Sequence, residues 1–274
     1  MLYYCQFMKE IAEKLFQEIS KKDTKNNDVR FCRENILQFL EAITEALFYD
    51  YFGCDCEKDE LETTLHNSLN YLHKGFGDFT KEDEAKIQSF YEKLPELRKA
   101  LLLDAEAIYE GDPASNSIEE VVTTYPGFIA ISVYRIAHIF YELGYRTLAR
   151  TMSEHAHSKT GIDINAGAKI GPSFCIDHGT GVVIGETTEI GAHCKIYQGV
   201  TLGALSLKDG RKLHNVKRHP TIKDNVVIYS GASIFGGETV IGNNVTIGSN
   251  VEIISSIPDN TVVTSQPNNI HKQK

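Results

Sequence analysis

One pattern restricts what this chain can fold into more than any other. Between residues 161 and 204 an aliphatic side chain returns at every sixth position. Ile164, Ile170, Ile176 and Val182 set the frame, the count slips by two, and Ile184, Ile190, Ile196 and Leu202 carry it on. A period of six matches neither the 3.6 of a helix nor the 2 of a half-buried strand. It is the period of a hexapeptide parallel β-helix, in which each hexad supplies a short strand and a turn and its aliphatic residue points into a narrow prism. Gly171, Gly185, Gly191 and Gly203 directly follow hexad leaders, where the backbone must bend. The frame resumes at Ile222, Ile228 and Ile234 and, one residue out of step, at Ile241, Ile247 and Ile253.

Everything before the hexads reads as helical. Ile36, Leu40, Ile43 and Leu47 line one helix face, as do Ile87, Phe90, Leu94, Leu97 and Leu101. Thr80 to Asp83 has the form of a capping box opening the second run, and Pro95 should kink or divide it. Gly53, Gly75, Gly77, Gly111 and Pro113 mark breaks. The stretch Phe128 to Leu143 is apolar nearly all round, which predicts a buried helix, with Arg135 and His138 as an internally satisfied polar pair. A last helix over 145–158 leads into the coil. The expected architecture is α + β: an N-terminal all-α domain over residues 1–160, then a β-helix over 161–258 with an inserted loop at 205–217, then a polar tail over 259–274.

Composition narrows the function classes. A net charge of −9 lacks the basic footprint of a nucleic-acid binder. No apolar run is long enough for a membrane span, and the N-terminal residues show no secretory pattern. Cys5, Cys32, Cys54, Cys56, Cys175 and Cys194 are scattered, which suits reduced thiols in a cytoplasmic protein. Cys54 and Cys56 lack the second pair that a structural zinc requires.

Chemistry should come from residues that interrupt the repeat. Asp177-His178-Gly179 is the first such interruption. A histidine with a pKa of about 6.5 is available as a general base at neutral pH. A carboxylate on its other ring nitrogen would orient it, and Asp163 stands fifteen positions earlier, near one coil of about eighteen residues. The second interruption, LSLKDGRKLHNVKRHP (205–220), carries five Lys or Arg and ends in Arg218-His219-Pro220. A guanidinium grips a carboxylate with two parallel hydrogen bonds. A base, acids for an ammonium and a fork for a carboxylate together suit an amino acid whose hydroxyl is to be deprotonated. The residues by themselves leave the substrate open. Prisms of this kind pack around a three-fold axis, and the clefts between them are natural ligand sites.

The run DIN-AGAKIG-PSFCIDHGTGVVIGETTEIG, followed by QGVTLGA and RHPTI, resembles the serine O-acetyltransferases. The resemblance extends back through Tyr134–His138 (YRIAH) to Asp112-Pro113 and covers roughly residues 105–258. It implies a left-handed parallel β-helix and a reaction: acetyl-CoA and L-serine give O-acetylserine and CoA, the step committing serine to cysteine. It implies His178 as general base with Asp163 as its orienting partner. Asp112 and Asp177 match the acids that hold the substrate ammonium, Arg218 the carboxylate ligand, and His219 the second histidine of the site. The two histidines meet across subunits of a homotrimer, which family members often pair into a dimer of trimers; the sequence leaves trimer or hexamer open. Acetyl-CoA lies in the cleft as co-substrate, with Gly203, Ala204, Ser230 and Gly231 at its lining, and no metal takes part. L-Cysteine is the expected feedback inhibitor. Two departures stand out. The loop before Arg218 is longer than in the best-known bacterial members by about six residues, and its Lys208, Arg211, Lys212 and Lys217 are candidates for meeting CoA phosphates. Ile270 is followed by His271-Lys272-Gln273-Lys274, where members that dock into the sulfhydrylase end in isoleucine, so that complex is expected to be weak or absent.

Three other readings compete. A hexapeptide acyltransferase acting on a sugar or antibiotic hydroxyl would share the coil but have no zwitterion for Asp112, Asp177 and Arg218 to hold. A zinc enzyme of the γ-carbonic anhydrase kind would need His178, His193 and His219 as ligands, whereas His193 reads as a turn residue. A scaffold without activity would have no use for Asp163, Asp177, His178, Arg218 and His219 together.

Overall fold

The computed structural model describes residues 8–9, 11–17, 32–52, 58–76, 80–206, 208, 210–214 and 216–265. Residues 11–17 form a short helix, α1, in a unit that ends at Arg30. The unit Phe31–Lys274 contains α2 (Arg33–Leu47), α3 (Lys58–Gly75), α4 (Lys81–Glu92), α5 (Leu94–Gly111), α6 (Ile118–Thr124), α7 (Pro126–Glu142) and α8 (Arg146–Thr160), followed by the coil. Cys5, Cys54, Cys56, Gly53, Gly77 and the stretch Ile270–Lys274 lie outside the described residues.

The expected helix faces are in place. Ile36, Leu40, Ile43 and Leu47 of α2 are buried. The run from Ile87 to Leu101 is two helices that part at Lys93. Pro95 sits in the first turn of α5, where its missing N–H leaves no hydrogen bond unmade. Thr80 closes its capping box: its hydroxyl accepts from the Asp83 amide at 3.2 Å, and the Asp83 carboxylate accepts from the Thr80 amide at 3.0 Å. Helix α7 is buried nearly all round and fastens to the coil through polar side chains. Arg135 donates to Asp104 (2.8 Å) and to the Gly171 carbonyl (2.8 Å). His138 Nδ1 donates to the Ala166 carbonyl (2.7 Å), and the Tyr134 hydroxyl to that of Ala168 (2.7 Å). Asp104 and Arg135 are both largely buried, so removing either strands the other and should cost roughly 3–5 kcal/mol.

The coil is a parallel β-helix of three sheets. The first holds β1 (Asp163–Ile164), β4 (Val183–Ile184), β7 (Thr201–Gly203), β10 (Ser233–Phe235) and β13 (Glu252–Ile253). The second holds β2 (Lys169–Ile170), β5 (Glu189–Ile190), β8 (Thr221–Ile222) and β11 (Val240–Ile241). The third holds β3 (Cys175–Asp177), β6 (Lys195–Tyr197), β9 (Val227–Ile228), β12 (Thr246–Ile247) and β14 (Val262–Val263). Hexad leaders stack in register, as in Ile176–Ile196–Ile228–Ile247–Val263. Two expectations are corrected. Val182 is buried but is not a rung, since Ile164 pairs with Ile184; the two-residue slip is the enlarged corner after β3. The coil also runs past Pro258. Ile257 bridges to Ile241, Asn260 turns the chain at φ 57°, and Val262–Val263 add another rung.

The prism has three edges. Turns 165–168 and 185–188 and the loop 204–220 form the first-to-second edge. Turns 178–182, 198–200 and 229–232 form the third-to-first edge. His193 turns the chain on the remaining edge at φ 55°, as a turn residue should. Among the described cysteines, Cys32, Cys175 and Cys194 are free thiols. Burial pushes the Cys175 thiol up to about 12 and that of Cys194 to about 11, so both remain protonated.

Candidate active site

The third-to-first edge carries the first group. His178 follows β3 at φ 55°, a left-handed conformation in which histidine is enriched among non-glycine residues, and Gly179 and Gly181 follow at φ 85° and 80°. This run widens the corner and sets the His178 ring outward, 75% exposed, with Nε2 3.6 Å from Asp177 Oδ1. Asp177 Oδ2 is held by Lys195 Nζ at 2.8 Å, and the same ammonium donates to the Gly111 carbonyl at 2.7 Å. Gly111 ends α5, and Asp112 caps it in an extended conformation. The Asp112 carboxylate accepts from the Ala114 amide (2.9 Å) and the Tyr125 hydroxyl (2.8 Å). These two hydrogen bonds, together with the charge of Lys195 and the nearby His178, hold it below the usual carboxylate range. Burial and Asp112 push the Tyr125 phenol up to about 12, which keeps it a donor. Lys195 thus ties the end of α5, which carries Asp112, to Asp177, the neighbour of His178.

Asp163 does not join them through a hydrogen bond. Its amide bonds to the Val182 carbonyl of the same corner at 2.9 Å, but its side chain lies beside α8, 3.9 Å from Arg150. There it sits within 4.8 Å of ligand atoms of Glu154 and His157. Its Oδ1 is buried and accepts no hydrogen bond.

The first-to-second edge carries the second group. Arg218 pairs with Glu186, which also accepts from the Tyr141 hydroxyl at 3.0 Å. Burial alone would raise the Glu186 pKa, but these partners outweigh it and the carboxyl stands below its ordinary value. His219 is buried. Its Nδ1 accepts from the Thr187 amide at 3.1 Å, which leaves the ring proton on Nε2. Burial first, and the Arg218 and Lys217 charges next, lower its pKa to about 4. Gly185 is required by this ring: a Cβ there would lie inside the van der Waals envelope of His219. The expected lining residues divide in the same way. Gly203 and Ala204 open the loop at the first-to-second edge, with Gly203 against the Phe235 ring. Ser230 and Gly231 turn the third-to-first edge, where the Ser230 hydroxyl meets Ser249 at 3.3 Å and Gly231 has φ 71°.

Sequence reasoning did not assign Lys195, Tyr125, Glu186 or Thr187. Glu186 and Thr187 belong to the quoted DHGTGVVIGETT run, so their position was visible and their partners were not. Lys195 precedes a hexad leader at a position where charged residues are ordinarily solvated, and no pattern marks it.

A parallel β-helix with a histidine–acid corner and a buried histidine at a second edge has the architecture of the hexapeptide-repeat proteins. No family model matches the chain. A serine acetyltransferase described as plasmid, from Synechococcus elongatus, is 50% identical over 226 residues, 73% of this chain and 70% of that protein. The serine acetyltransferase of Bacillus subtilis is 48% identical over 128 residues, 47% of this chain and 56% of that protein. Among solved structures, Entamoeba histolytica serine acetyltransferase 1 in complex with L-cysteine matches with a TM-score of 0.76 at 34% identity, over 93% of this chain and 97% of that one. Neisseria gonorrhoeae serine acetyltransferase in complex with serine matches at TM-score 0.60 and 28% identity, over 84% and 95%. Brucella abortus serine acetyltransferase in complex with coenzyme A matches at 0.61 and 28%, over 84% and 78%. The chain belongs to the serine acetyltransferase family.

Proposed function

We propose that this protein transfers the acetyl group of acetyl-CoA to the hydroxyl of L-serine, with His178 as general base. His178 takes the hydroxyl proton as the serine oxygen attacks the thioester carbonyl. The tetrahedral intermediate then expels the CoA sulfur, which recovers the proton from the imidazolium. Asp112 and Asp177 receive the substrate ammonium and Arg218, steered by Glu186, its carboxylate. Asp163 takes the role of orienting partner in this reading: its amide is tied to the Val182 carbonyl of the His178 corner, and its buried Oδ1, which faces Arg150, has no hydrogen bond to give up when the carboxylate and the His178 ring turn toward each other. His219, with Nδ1 engaged and Nε2 protonated, is suited to donate a hydrogen bond to substrate or oxyanion rather than to act as a base.

One observation carries this reading. The amino-acid ligands and the CoA-lining residues are both split between the same two edges of the prism. A ring of three copies sets the third-to-first edge of one against the first-to-second edge of the next, which completes both halves in one cleft. The assembly is a homotrimer or a dimer of trimers. L-Cysteine, which keeps the ammonium and carboxylate of serine, competes for the same cleft and acts as feedback inhibitor.

The test is thiol release from acetyl-CoA on adding L-serine. His178→Ala should lower serine-dependent release by about 10²–10⁴-fold, the usual worth of a general base. A folded wild type that releases no thiol with serine but acetylates a sugar hydroxyl would favour the other hexapeptide acyltransferases.

A further inference from the structure

Lys195 has no part in the chemistry assigned so far, yet it joins two elements of the site. Its side chain is only 16% exposed. Burying an ammonium is unfavourable unless its charge and its three donors are met. Here they are met by Asp177 Oδ2 at 2.8 Å, the Gly111 carbonyl at 2.7 Å and the face of Tyr197, whose centroid lies 4.6 Å away. Gly111 is the last residue of α5, and Asp112 follows it as the cap. A single ammonium on β6 thus holds both elements that present the two acids: the end of β3 with Asp177, and the end of α5 with Asp112. The charge count follows the same logic. Asp112 and Asp177 bring two negative charges toward a substrate with one ammonium, and Lys195 leaves a net single negative charge to match it.

We propose that Lys195 is a positioning residue that determines amino-acid affinity, fixing Asp112 and Asp177 relative to each other and setting the charge they present to the substrate ammonium. It does so without touching the substrate. The inference rests on the reading of Asp112 and Asp177 as the ammonium site of a serine acetyltransferase.

The experiment compares wild type, Lys195→Met and Lys195→Arg in steady-state kinetics with L-serine and acetyl-CoA, alongside Tm and oligomer size. Loss of a charge-assisted contact on a ligand-holding carboxylate should raise KM for serine about tenfold. KM for acetyl-CoA should stay within about twofold and kcat within about threefold, a split that localises the effect to amino-acid binding. Lys195→Arg keeps the charge and should bring KM for serine back to within about threefold of wild type. An unchanged KM for serine in Lys195→Met overturns the proposal. So does a fall in kcat with both KM values unchanged, or equal impairment in the Met and Arg variants, because either pattern describes a tie that only holds the fold together. If Lys195→Met does not fold, Lys195→Gln, neutral but still able to donate to Gly111, replaces it with the same criteria. Wild type without serine-dependent release removes the functional reading itself, and this inference with it, before any variant is measured.

Discussion

At the scale of single residues, His219 separates two kinds of pH dependence. Its folded pKa of about 4 lies below the 6.5 of an exposed imidazole, because burial and two neighbouring cations oppose its protonation. Between those values the unfolded chain binds a proton that the folded chain does not, so stability falls as pH drops from about 6.5 to about 4. The loss attributable to this one ring is on the order of 3 kcal/mol at most. Glu186 and Asp112, whose pKa values are lowered, lose their contributions as pH falls from their unfolded values through their own folded values. Replacing His219 with Asn, which keeps an acceptor for Thr187, should flatten the urea midpoint between pH 6.5 and 4 and leave the steeper acid loss in place. An undiminished slope in that window would mean that another group carries it. The tight seat of this ring on Gly185 explains why the residue after that hexad leader is glycine.

At the scale of elements, the six-residue period did most of the work, and its energetic content can be measured. Ile196 is 1% exposed and stacks between Ile176 and Ile228. Ile196→Ala removes a central rung that cannot collapse without disturbing both neighbours, and should cost about 2–4 kcal/mol. At fixed protein concentration this appears as a lower urea midpoint with unchanged m-value. The ladder was legible because every coil repeats the same demand on the same face. The division of Ile87–Leu101 at Pro95, the Thr80 cap and the buried polar ties of α7 were legible for the same reason: each follows from a local rule. The end of the coil was not, because Val262 and Val263 fall in the frame only after an irregular turn through Pro258 and Asn260. The contacts of the site were legible as residue types and not as pairs. Asp177 and His178 stand out as an interruption, but the Lys195 that holds Asp177 comes from the next coil, and the Tyr125 that holds Asp112 from the junction of two helices. Asp163 lies near one coil length from His178, yet its side chain is turned to Arg150, Glu154 and His157 of α8.

At the scale of the whole molecule, a triangular prism cannot bring two of its edges together. His178 stands on one edge and His219 on another, and the residues proposed for amino-acid and CoA binding divide along the same line. If the cleft between copies is the active site, each site takes His178 from one protomer and His219 from its neighbour. A mixing experiment reads this directly. His178→Ala and His219→Ala homotrimers should each be nearly inactive. Refolded together in equal amounts, they form hybrids in which about a quarter of the clefts draw His178 from one variant and His219 from the other. Thiol release should therefore recover to about a quarter of the wild-type rate, and the recovery should vanish when each variant is refolded separately before mixing. A site contained in one protomer predicts no recovery under any mixing, since every chain then carries a broken site. The outcome decides whether oligomerisation is a condition of catalysis or only of stability, and with it whether dissociating the ring would be enough to switch the enzyme off.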